Sequence, residues 1–238
     1  MTITSPHNER LKEIRKLARR RERDARGRFV AEGEDLVAAA RAAGWEPVTL
    51  LSAAGSGLAG EEIEPALLDA VSGLGSGTRT VGVYEARWAE PAGPLCVYLH
   101  GVGDPGNVGT ILRSALAFGA SSVVLGPGCA DPFGPKAVRA SMGAIFALPV
   151  ARAGGIEDVP GERVALVAGA GEALAGPAEG DVAIVVGAER EGLPAEVVGA
   201  CDRIAHIPIA SESLNAAMAA SVALYELRPR CLRGWRPQ

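Results

Sequence analysis

From Leu95 onward, short continuous apolar runs alternate with helical stretches, and this alternation constrains the fold more than any other feature of the 238-residue chain. Leu95–Leu99, Ser122–Leu125, Val164–Ala168, Val182–Val186 and Ile204–Ile209 read as strands. Val108–Phe118, Lys136–Phe146, Pro194–Ala200 and Leu214–Leu227 read as helices. Strands that are apolar along their whole length need cover on both faces, and helical connections between them imply parallel pairing. The expectation is an α/β domain over residues 95–238, with a mostly parallel sheet between helical layers.

Residues 1–85 are expected to form a smaller α/β/α unit. The pattern predicts helices over Asn8–Arg23, Glu34–Ala43 (stopped by Gly44) and Ile63–Val71, and strands over Phe29–Ala31, Val48–Leu51 and Thr80–Tyr84. The stretch Glu85–Pro94 holds two prolines and a glycine without periodicity, so residues 86–94 read as a linker.

Bulk chemistry excludes several classes. The chain is 48% hydrophobic and 22% charged, which suits a folded protein and not a disordered one. No apolar run reaches the ~18 residues a membrane helix needs, and Met1–Arg10 has no apolar core of a signal peptide. Cys96, Cys129, Cys201 and Cys231 form no CxxC pair, which predicts reduced thiols in a cytoplasmic protein and no metal site. The net charge of −4 conceals an asymmetry: His7–Arg28 holds ten Lys/Arg against four acids, a net +6, leaving −10 on the rest. A basic arm on an acidic body can bind phosphate locally, and it can equally be a solvated helix face.

Three segments carry the chemistry. In the first, Gly101, Gly103 and Gly106 satisfy GxGxxG between a strand and a helix, as a dinucleotide site would. Pro105 stiffens that turn, however, and the first acid after the next strand is Asp131, several residues too late to hold a ribose. The same segment sets Asn107 at a helix start and Arg113 six residues on; an N-cap and a solvated arginine would explain them equally. The second segment, Gly187-Ala-Glu189-Arg-Glu-Gly192-Leu193-Pro194, is a glycine-bounded acidic turn after a buried strand. The third, Ile207-Pro-Ile209-Ala-Ser-Glu-Ser213-Leu214-Asn215, is a strand end, a polar loop and the start of an alanine-rich helix.

Together and in this order, the three segments resemble the motifs of the SpoU (TrmH-like) family of RNA 2′-O-ribose methyltransferases, in the SPOUT superfamily. N-x-G-x-x-x-R is present as Asn107, Gly109 and Arg113, G-x-E-x-x-G as Gly187, Glu189 and Gly192, and I-P-I…S-L-N as Ile207–Ile209 and Ser213–Asn215. Asp131-Pro-Phe133 and Pro135–Ala144 are similar to the family's intervening segment, and the N-terminal stretch to an L30e-like substrate-binding domain. Two departures stand out. The loop Ala210–Glu212 is short and lacks the family's glycine, and Gly75-Ser76-Gly77-Thr78 replaces a customary Pro-Gln-Gly.

The resemblance implies a deep trefoil knot in the C-terminal domain and transfer of a methyl group from S-adenosylmethionine to a ribose 2′-hydroxyl, of ribosomal RNA before transfer RNA. A catalytically weak RNA-binding relative is the other reading. It places Arg113, Asn107, Glu189, Ser213 and Asn215 at the reaction, and Gly187, Gly192, Leu193, Ile207, Ile209 and Leu214 around the cofactor. RNA would be held by Arg10, Arg15, Lys16, Arg19, Arg20, Arg23 and Arg28, with Lys136 and Arg139 closer to the site. A homodimer through the last helix is implied; there Leu214, Met218, Val222 and Tyr225 form a stripe suited to a partner or to the core.

Overall fold

The computed structural model describes residues 2–73 and 77–228; Gly75, Ser76 and Cys231 lie outside them. In chain order the elements are α1 (Glu9–Leu17), α2 (Arg20–Arg26), β1 (Arg28–Glu32), α3 (Glu34–Ala42), β2 (Thr49–Ala53), β3 (Glu61–Ile63), α4 (Pro65–Asp69), β4 (Thr80–Glu85), β5 (Leu95–Leu99), α5 (Pro105–Ala117), β6 (Ser122–Leu125), α6 (Pro135–Ser141) and α7 (Ala144–Ala147). There follow β7 (Val150–Arg152), β8 (Glu162–Leu166), β9 (Glu172–Ala173), β10 (Val182–Val186), α8 (Ala195–Gly199), β11 (Arg203–His206) and α9 (Ala216–Leu227). They form two compact units: Met1–Arg87 with Asp131–Ala147, and Trp88–Ala130 with Leu148–Gln238. The sequence pattern suggests one boundary near residues 86–94, whereas packing also moves residues 131–147 into the first unit.

The first unit holds a four-stranded sheet in the order β1-β4-β2-β3, antiparallel except for β2-β3. Aromatic packing explains why residues 131–147 belong there. Phe133 and Phe146 pack against Phe29 with tilted rings, at centroid distances of 4.9 and 5.7 Å, and Trp45 Nε1 donates to the Phe146 carbonyl at 2.8 Å. The helix expected over Lys136–Phe146 is broken where Met142 and Gly143 take positive φ, 49° and 90°. A Cβ at Gly143 would come within 2.5 Å of the Ala39 Cβ. The helix expected from Ile63 starts later: Ile63 ends β3, and Pro65 opens α4, where its missing N–H is not needed.

The expected single helix Asn8–Arg23 is two. Asn8 caps α1 by accepting from Arg10 N (2.9 Å), and Leu11, Ile14 and Leu17 face the core. At the break, Arg23 folds back and its Nη1 donates to the carbonyls of Leu17 (2.8 Å) and Ala18 (3.0 Å), which the helix end leaves unpaired. Its Nη2 and Nε meet the Asp131 carboxylate at 2.7 and 2.8 Å, and both side chains are buried. Arg23 therefore holds the fold together and is not available to RNA, contrary to the expectation above.

The second unit is built on seven parallel strands in the order β7-β6-β5-β10-β8-β11-β9. The central strands β5 and β10 are buried at every residue, as their unbroken apolar sequences require. Helix α5 starts three residues before the sequence estimate because Asp104 is its N-cap, accepting from Asn107 N at 2.9 Å, with Pro105 in the first turn. Strand β11 stops at His206, short of Pro208, and Asn215 caps α9. Among the described residues no helix is long and apolar enough to cross a membrane.

Candidate active site

The carboxyl ends of β10, β8 and β11 and the first turns of α9 border a cleft of about 200 Å³. Open α/β sheets bind ligands at this edge. The walls are mostly apolar side chains and main chain, from Leu166–Ala168, Val186–Arg190, Gly192, His206, Ile207, Ile209, Ser213, Leu214, Ala216 and Ala219. Glycine at 187 is required by close passage of the chain: a Cβ there would lie 2.5 Å from Leu193 N and overlap the Gly192 carbonyl carbon. Gly192, at φ 68°, lets the turn close on itself, with Ala188 N donating to Gly192 O (3.1 Å) and Gly192 N to Ala188 O (3.0 Å). That closure presents Glu189 at the turn's tip.

A hydrogen-bonded series ties the three motifs together. Asn215 Oδ1 accepts from Ala217 N (2.9 Å) and Met218 N (3.3 Å) at the start of α9, which turns its Nδ2 outward. That Nδ2 donates to Asn107 Oδ1 at 3.1 Å, and Asn107 Nδ2 donates to Glu189 Oε1 at 2.5 Å. The cap thus sets the first amide, the first amide orients the second, and the second orients the carboxylate. Asn107 is free for this role because Asp104, not Asn107, caps α5.

The expected residues do not all gather there. Glu189 and Ser213 line the cleft, as do Gly187, Gly192, Ile207, Ile209 and Leu214. Leu193 does not: it packs against the core cluster of Cys96, Tyr98, Ala183 and Val185, on the other face of the sheet from Val186. Arg113 lies along α5 outside the hydrogen-bonded series. It is exposed, and its side chain has no hydrogen bond or ion pair among the described residues. A guanidinium not neutralised by the protein's own acids can pair with phosphate or with a developing oxyanion. The sequence pattern did not point to the β8 end, Arg190, His206, Ala216 or Ala219. The available signals were the strand-end rule for Leu166 and adjacency to Ile207 for His206.

The cations of the first unit are mostly engaged. Arg10 pairs with Glu61, Arg15 donates to the Pro6 carbonyl (3.0 Å), Arg20 pairs with Asp24 (3.6 Å) and Arg28 with Glu13 (2.8 Å). Lys16 and Arg19 are exposed and form no ion pair among the described residues. Lys136 is exposed, whereas Arg139 is half-buried with its Nη1 enclosed. The dinucleotide reading of Gly101–Gly106 fails here, since the acid it would need, Asp131, is buried against Arg23.

The sequence model of the SpoU rRNA methylase family matches residues 94–225, and that of an MRM3-like substrate binding domain matches residues 8–85. The 23S rRNA (guanosine(2553)-2′-O)-methyltransferase RlmP of Bacillus subtilis is 30% identical, the match covering 95% of this chain and 98% of that protein. A solved AdoMet-bound rRNA methyltransferase from Sinorhizobium meliloti superposes with a TM-score of 0.82 at 32% identity, over 95% of this chain and 96% of that one. AviRb from Streptomyces viridochromogenes, a SpoU methyltransferase solved in complex with AdoMet, gives a TM-score of 0.82 at 27% identity, over 92% and 97%. Other relatives are longer: the match to an uncharacterized tRNA/rRNA methyltransferase of Mycobacterium tuberculosis, 35% identical, covers 71% of this chain and 57% of that protein.

Proposed function

Since the chain belongs to the SpoU rRNA methylase family, we propose that it is an RNA methyltransferase that methylates a ribose 2′-hydroxyl of ribosomal RNA with S-adenosylmethionine as donor. The observation that carries this reading is the series Asn215–Asn107–Glu189, which joins all three motif segments at the mouth of the cleft. The cleft fits the donor by its own lining: mostly apolar side chains, with main chain of the Gly187–Gly192 turn and the polar side chains of Glu189 and Ser213 among them. The names of two relatives, RlmP and a 23S rRNA (uridine(2479)-2′-O)-methyltransferase of Streptomyces viridochromogenes, support ribosomal RNA as the substrate.

When bound, S-adenosylmethionine supplies an already activated methyl group, so the remaining difficulty is orienting and deprotonating a poor nucleophile. Arg113 would ease the second as an unneutralised cation that holds RNA phosphate and stabilises the developing alkoxide, while the hydroxyl proton passes to solvent water. Glu189, oriented through Asn107, and Ser213 hold the ribose in line. Main chain around Gly187, Gly192, Ile207, Ile209 and Leu214 holds the donor.

The proposal extends to the chain's assembly. Residues 1–85 act as an L30e-like RNA-binding domain, residues 95–238 form the SPOUT methyltransferase domain with its trefoil knot, and the enzyme works in the cytoplasm. The stripe on α9 supports a homodimer: Met218, Val222 and Tyr225 are 58%, 42% and 53% exposed, so they do not serve the core, which Ala216, Ala220, Ala223 and Leu224 supply instead. The test is transfer of labelled methyl from S-adenosylmethionine into ribosomal RNA, followed by alkaline hydrolysis. A 2′-O-methyl group protects the adjacent linkage, so label is expected in an alkali-stable dinucleotide. Label in free mononucleotides would place the methyl on a base and overturn the ribose assignment.

A further inference from the structure

An aromatic–cation stack lies on the sheet that builds the cleft, outside the cleft itself. Trp88 sits in the stretch read as a linker, and Ala89 after it pairs with Ala151 of the edge strand β7, its N donating to Val150 O at 2.8 Å. Arg152, the last residue of β7, lays its guanidinium over the Trp88 ring, 3.8 Å from the centroid. Tryptophan is well buried on average, yet this one is 37% exposed and Arg152 is exposed beside it.

Strand register says where the stack lies. Arg152 is opposite Leu125, Leu125 opposite Leu99, and Leu99 opposite Val186 of the cleft. Residues in one row of a ladder share a face, so Arg152 and Val186 project from the same face of the sheet, each at the carboxyl end of its strand. Along that edge β7 is two strands from β5, whose end leads to Asn107, and three from β10, whose end leads to Glu189. At ~4.8 Å per strand these are separations of about 10 and 14 Å, or three to four base spacings of ~3.4 Å. An RNA with its target ribose at Asn107 and Glu189 thus reaches the stack within a few nucleotides. Unpaired bases stack on aromatic rings and on arginine planes, and the cation adds attraction for the adjoining phosphates.

We infer that Trp88 and Arg152 form a stacking subsite for an unpaired base of the RNA near the methylated nucleotide. The inference rests on the RNA methyltransferase reading given above. It is tested by titrating the full-length protein with ribosomal RNA at several salt concentrations while tryptophan emission is recorded. The chain has three tryptophans, so the Trp88 contribution is the difference between wild type and W88F. Expected are quenching of that contribution at saturating RNA and an affinity loss of about tenfold in W88A. W88F, which keeps a ring to stack on, should stay within about threefold of wild type. The slope of log affinity against log salt should be the same in W88A as in wild type, because a lost stack releases no counterions. Wild-type RNA affinity in W88A, or Trp88 emission unmoved by RNA, overturns the inference and leaves the RNA reading standing. So does a loss in W88F as large as in W88A, which would make the indole a structural prop, or a drop in oligomer mass of W88A by light scattering, which would assign the stack to a contact between copies. If wild type binds no ribosomal RNA, the RNA reading and this inference fall together.

Discussion

The basic segment at residues 9–28 and the cleft at residues 187–219 use charge in opposite ways. In the basic segment the sequence shows an excess of six cations, yet most are spent inside the first unit: Arg23 on Asp131, Arg28 on Glu13, Arg10 on Glu61. In the second unit Arg113, like the cleft residue Arg190, forms no hydrogen bond or ion pair among the described residues, while the amides and carboxylate of Asn107, Asn215 and Glu189 satisfy each other. Net charge counts ionised groups; function depends on which of them still lack a partner.

The largest effect is expected at Arg23. Removing one member of a buried ion pair leaves the other unpaired, so Arg23→Ala is expected to destabilise the first unit by about 3–5 kcal/mol, read from denaturant unfolding. Arg23→Met combined with Asp131→Leu should recover most of that loss, because no charge is then stranded. If Arg23→Ala leaves stability intact but weakens RNA binding, the arginine belongs to the RNA surface after all.

A smaller effect is expected at the exposed cations. Lys16→Ala and Arg19→Ala should leave the unfolding midpoint unchanged. Each should reduce the slope of log affinity for ribosomal RNA against log salt by about 0.7–0.9. An unchanged slope in the double variant would mean that this face is solvated and idle.

How much of this was legible in the sequence depends on burial. Leu95–Leu99, Ser122–Leu125 and Val182–Val186 were bounded correctly because each is buried along its whole length and written as one apolar run. β9 escaped notice because both its residues are exposed and it has only two; it is held at the sheet edge with help from Arg203, which bridges Glu162 and Glu172 at 3.1 and 2.8 Å. The break at Met142–Gly143 is set by the approach of Ala39, a contact no local pattern encodes.

At the site, Gly187 and Gly192 were legible because backbone clearance and a positive φ demand glycine there, whereas the strand expected to run through Ile209 stops at His206. Leu193 was misplaced because a turn reverses which face its side chain meets. The Asn107 amide was ambiguous until Asp104 proved to be the cap.

The most direct test of the account is single-turnover methyl transfer to ribosomal RNA by Arg113→Ala, measured together with its affinity for S-adenosylmethionine. Arg113 is exposed and lies outside the cleft walls. The account predicts a fall in transfer rate of about 100-fold or more, typical of removing a group that stabilises developing charge, with donor affinity within about twofold of wild type because no donor contact is lost. Transfer at the wild-type rate would contradict it.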